Sequence, residues 1–170
     1  MLILRGKDIR KEMIIIGALF GIAAILSSKI YAQDWWRPLT TSGSLPSLED
    51  FLFGFFFGGI SSVIYEYLFN KKIKIKRLRK IKEEKRNLNF IVLIGLLAIL
   101  PIGVFLFKLD TLTSTILAFG IPITIIWIKR RDLIKDSILS GILTLALAII
   151  VYYILNIITP GFFDEFWLFQ

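Results

Sequence analysis

Glu49 and Asp50 stand side by side at the head of an apolar stretch, in the segment SLPSLEDFLFGFFFGG at 44–59. A carboxylic acid pressed among phenylalanines loses hydration, keeps its proton more firmly and can donate it at neutral pH. A second carboxylate beside it can balance a developing positive charge. Another pair, Asp164 and Glu165, lies in PGFFDEFW at 160–167. Each pair follows a proline and precedes aromatic residues, a weak internal echo. The chain has no cysteine and no histidine. That excludes thiol nucleophiles, disulfides, imidazole acid–base chemistry and the usual zinc sites. No Gly-rich phosphate loop, no G-x-S-x-G elbow and no aspartate-rich magnesium motif is present, so neither metal nor cofactor is expected.

The elements that must position these acids are membrane helices. The 170 residues are 56% hydrophobic, with a mean hydropathy of +0.74. The apolar residues fall in long runs at 13–32, 51–70, 88–107, 112–128 and 137–159. A helix needs about 20 residues to cross the hydrocarbon core, and no strand alternation of the barrel kind occurs. The expected fold is therefore an all-α polytopic bundle in a single membrane domain over 1–170. It has five full spans and a C-terminal interfacial or truncated segment. Pro101 is expected to kink the third span. The first span is read as uncleaved, because Ile30 occupies a position where a signal peptidase wants a small residue.

Charge gives an orientation. Of the 21 Lys and Arg residues, 18 precede the first span or lie in the second-to-third and fourth-to-fifth connections. Only Lys29, Arg37 and Lys108 lie on the opposite side. The positive-inside rule then puts the N-terminus and the basic loop 71–87 in the cytoplasm and residue 170 outside the cell membrane. The basic run lacks interleaved aromatics, so it reads as a helix extension touching anionic headgroups, and no nucleic acid partner is expected.

Both acid pairs then share the outer face, where Trp35 and Trp36 supply interfacial indole rings. In the second span Asp50, Gly54, Gly58, Ser62 and Glu66 recur every four residues, a stripe that lets a neighbouring helix approach closely. Gly17 and Gly21 in the first span read as packing. Glu49, Phe53, Phe56 and Ile60 form an adjoining stripe. Two readings of the acids stand open: they cap the helix N-terminus, or at least one turns inward beneath the aromatics. Tyr152, Tyr153 and Asn156 reach the same outer depth at the end of the fifth span.

The stretch WWRP followed by GSLPSLEDFLFGFFFGGISSVIYEYLF resembles the membrane-integral lycopene cyclase domain family. The resemblance covers residues 31–70, with fainter support from PGFFDEFW. It implies two related three-helix domains that close the ends of linear carotenoids into rings, without a dinucleotide-binding fold. It also implies a second acid-motif helix beyond Gln170. On that footing Glu49 and Asp50, with Asp164 and Glu165, are the catalytic candidates. Trp35, Trp36, Phe53, Phe56, Tyr152 and Asn156 would line the substrate. Ring closure is redox-neutral. It needs a proton for a terminal double bond, stabilisation of a tertiary carbocation, and loss of a neighbouring proton. Aromatic faces can supply the second through cation–π contact. Expected partners are membrane lipid, an isoprenoid or carotenoid, and a homo- or hetero-oligomer. The alternatives are a non-catalytic binder of a polyprenyl lipid or carotenoid, a membrane scaffold, or a small transporter. The transporter is disfavoured because spans one, three, four and five carry no charge at mid-depth.

Overall fold

The computed structural model describes residues 7–37, 40–69 and 95–161. All its elements are helical: α1 (Lys7–Tyr31), α2 (Leu48–Phe69), α3, α4 (Thr111–Lys129) and α5 (Ile134–Ile158). The described part of α3 consists of two π-helical stretches, Gly95–Ile99 and Ile102–Leu106. Among the described residues four helices are long and apolar enough to cross a membrane: Ile9–Tyr31, Leu48–Phe69, Thr111–Lys129 and Arg131–Ile158. The expected span at 88–107 lies partly outside the described residues, and its described portion is a shorter apolar helix, Leu97–Leu106.

The chain divides into two compact units, 1–71 with 135–170, and 72–134. In the first unit α1 and α2 pair closely, because both helices present glycine where they meet. A Cβ added to Gly54 would lie 2.5 Å from the Phe20 carbonyl oxygen and 2.7 Å from the Ala24 Cβ. One added to Gly17 would lie 2.7 Å from the Phe55 carbonyl oxygen, and Gly21 is covered by the Phe51 ring. In lipid no hydrophobic effect drives helices together, so this backbone proximity is the source of attraction. Hydrogen bonds join α5 to α2, including Tyr65 Oη–H to Asp136 Oδ1 at 2.7 Å and Ser140 Oγ–H to the Ser61 carbonyl at 3.1 Å. No residue of α5 is buried.

In the second unit the prolines set the packing. Pro122 lies inside α4 and cannot donate to the Ala118 carbonyl one turn back. Gly95 of α3 packs against the Pro122 ring and that carbonyl, and no side chain would fit there. Pro101 keeps helical angles (φ −65°, ψ −34°), and the helix accommodates it with a π-helical stretch on either side. The hydrogen bond from Phe107 N–H to the Ile102 carbonyl, at 3.2 Å, closes one of these wider turns. Lys108, with φ of 54°, ends α3. Asp110 caps α4 by accepting from Thr113 N–H at 2.8 Å, and that bond holds its carboxyl below the ordinary value.

Many hydroxyl groups inside the apolar helices are satisfied within their own turns, whereas Ser140 donates to α2 and the buried Ser114 Oγ of α4 has no hydrogen-bond partner among the described residues. Ser27, Ser61, Thr115, Thr124 and Thr144 each donate to the carbonyl four residues back, and Ser28 and Ser62 to one three back. A solvent without hydrogen-bonding partners demands this arrangement.

Candidate functional site

The acid pair heads α2, and a short polar turn leads into it. Gly43 N–H bonds the Thr40 carbonyl at 2.9 Å, and Gly43 takes a φ of 66° that glycine adopts without strain. The turn carries Thr41 back over the helix start. There Thr41 donates twice to Glu49 Oε1, from its N–H at 2.8 Å and its Oγ1–H at 2.5 Å.

Asp50 has a different partner. Ser47 and Asp50 form a reciprocal box: Asp50 N–H donates to Ser47 Oγ at 3.2 Å, and Asp50 Oδ2 accepts from Ser47 N–H at 2.8 Å and Ser47 Oγ–H at 3.0 Å. Two backbone donors of the first turn are thereby satisfied, and the negative charge lies at the positive end of the helix. Ser47 is buried, whereas Glu49 and Asp50 are half-buried. Each carboxyl accepts two hydrogen bonds from residues that precede the helix, and together these bonds order the helix entrance.

The phenylalanines of α2 divide between two faces. Phe51 and Phe55 stack at 5.9 Å and cover the glycines of α1. Phe53 and Phe56 point outward, 60% and 57% exposed. Phe53 stacks on Phe57 at 5.8 Å, and Phe56 meets Phe55 edge-on at 5.5 Å. Water would oppose so much aromatic exposure, but lipid tails or a long apolar ligand would cover it.

Trp35 and Trp36 lie in the turn that follows α1. Both donate their N–H to the Tyr31 carbonyl at 3.0 Å, and Trp35 meets the Tyr31 ring edge-on at 5.4 Å. Both are half-buried beside Arg37, which bonds the Ala32 carbonyl at 2.9 Å. On α5, Tyr152 is half-buried, whereas Tyr153 and Asn156 are exposed. Asp164 and Glu165 lie outside the described residues.

The structure therefore brings Glu49 and Asp50 together with Thr41 and Ser47, two residues that the paired-acid reading did not include. Ser47 carries a legible signal, S-x-x-D before an apolar run. Thr41 carries none, because its approach depends on the fold of the turn. The chain was compared with family models, with curated proteins and with solved structures, and it matches none of them.

Proposed function

We propose that the chain is an integral membrane protein that holds a long apolar isoprenoid against the aromatic face of α2, binding it without converting it. One observation carries this reading: both carboxyl groups are engaged by donors from Thr41 and Ser47 while Phe53, Phe56 and Phe57 lie open beside them. Such a surface offers stacking and dispersion to a polyene, while the carboxyl groups beside it are taken up by hydrogen bonds from their own chain. The chain crosses the membrane five times with its N-terminus inside, on the strength of the Lys and Arg asymmetry.

A second reading, acid-initiated cyclisation, has its own support. The Pro46–Phe53 motif resembles that of the lycopene cyclases. In addition, the pairs Tyr65–Asp136 and Ser61–Ser140 define an antiparallel register. Carried along α5, that register brings Tyr152 to the level of Glu49. Here Glu49 would be the acid, Asp50 the counter-charge, and Phe53, Phe56 and Trp36 the walls.

Expression in lycopene-accumulating cells separates the two. The binding reading expects uncyclised carotenoid to co-purify with the protein. Phe53→Ala should lower its occupancy by about fivefold, the worth of one aromatic stacking contact of about 1 kcal/mol, since lipid tails already cover the ring in the empty protein. Cyclic products that vanish in Glu49→Gln would replace it with the cyclase reading. The topology has a separate check. Single cysteines at positions 76 and 164 should be labelled from opposite sides of sealed membranes; labelling of both from one side would overturn the orientation.

A further inference from the structure

The α1–α2 pair leaves a cleft of about 200 Å³ along one side of its seam, away from the acid pair. Met13 and Ile14 of α1 and Phe55 and Phe56 of α2 form its walls, and Gly59 floors it where a side chain would meet the Met13 carbonyl. Arg10 closes the end nearest the N-terminus and is the charged residue of the lining. Its guanidinium is exposed, and among the described residues no carboxylate pairs with it. Lys11 is its neighbour, and Lys7 lies one turn earlier on the same helix.

The geometry points to a binding site for an anionic phospholipid of the leaflet that meets the start of α1. One acyl chain lies in the cleft and the headgroup phosphate rests on Arg10. Three features select that occupant. The cleft is smaller than the roughly 300–1,000 Å³ that encloses a whole small-molecule ligand, so it suits a length of a single chain. Its apolar walls give a free inorganic anion nothing to bind. Arg10, at the first turns of a membrane-crossing helix, can extend its guanidinium to headgroup depth and grip phosphate in a bidentate manner. A zwitterionic lipid offers the same chain but carries a cation beside its phosphate, so Arg10 favours a net negative headgroup. The site borders the aromatic face of α2 through Phe56, but its Arg10 end lies at the far end of α1 from Glu49, and it does not depend on the isoprenoid reading.

The test uses the full chain in neutral detergent, titrated with phosphatidylglycerol and separately with phosphatidylcholine. Lipid retention is read by native mass spectrometry and stabilisation by thermal midpoint. The expected result is a preference for phosphatidylglycerol of about fivefold, the contribution of one basic residue at an anionic headgroup. Arg10→Gln should reduce it to parity, whereas Lys29→Gln, which removes the same charge at the other end of α1, should leave it intact. Arg10→Lys keeps the preference. Ile14→Trp, which fills the cleft, lowers retention of both lipids, and this pair of variants decides the matter even if Arg10→Gln does not fold. Equal losses in Arg10→Gln and Lys29→Gln would mean diffuse surface charge and overturn the proposal. So would stabilisation by inorganic phosphate alone. Unselective lipid binding together with a dimer that Ile14→Trp disrupts would assign the cleft to a second copy, and that too overturns it.

Discussion

Gly54→Leu will keep α1 and α2 from closing on each other. The first added carbon would lie 2.5 Å from the Phe20 carbonyl oxygen, inside van der Waals contact with backbone, and no rotamer change can move backbone aside. Overpacking a well-filled interior costs about 1–3 kcal/mol when side chains can shift. Here they cannot, so the cost reaches or exceeds the top of that range. The helix pair also has little to oppose it with, since close packing is its chief attraction in lipid. The thermal midpoint of the detergent-solubilised chain should fall sharply, and α1 should become accessible to protease. Gly120→Leu is the control, because nothing lies within 4 Å of a Cβ at that position and leucine favours helix. Equal stability of the two variants would mean that the glycines do not hold the pair.

Tyr65→Phe will loosen α5. Tyr65 is 8% exposed, and its hydroxyl donates to the Asp136 carboxyl at 2.7 Å. A hydrogen bond to a charged group contributes about 1.5–3 kcal/mol in a soluble protein, while bonds between membrane helices average about 0.6 kcal/mol. The charged acceptor favours the upper figure, and α5, with no buried residue, has little packing to make up the loss. Cysteines placed at 61 and 140, where the other α2–α5 hydrogen bond lies, should cross-link roughly tenfold more slowly in the variant. An unchanged rate would show that α5 is held by something other than this contact.

Much of the architecture can be read from hydropathy and spacing. The apolar runs mark α1, α2, α4 and α5, because a helix in lipid must be apolar on every side and a window of residues records that directly. Their ends are less legible. α1 begins at Lys7, six residues before the apolar run, since basic residues continue a helix as readily as apolar ones. The close approach of α1 and α2 is visible in the four-residue recurrence of Gly17–Gly21 and Gly54–Gly58. The π-helical stretches around Pro101 are not, because a proline signals only that a turn must adjust and not how. The acid pair shows the same boundary. That Glu49 and Asp50 head a helix is local information. That Glu49 reaches Thr41, eight residues earlier, depends on a turn whose path no periodicity encodes.

The glycine seam also has a bearing on biogenesis. Every contact between α1 and α2 lies within the first 69 residues, so this hairpin can close while the rest of the chain is still on the ribosome. The Tyr65–Asp136 bond spans 71 positions and must wait for much later synthesis. α2 therefore meets its neighbour as soon as it is made, whereas α5 joins a pair that has already closed. Order of synthesis, and not only final packing, favours glycine between α1 and α2.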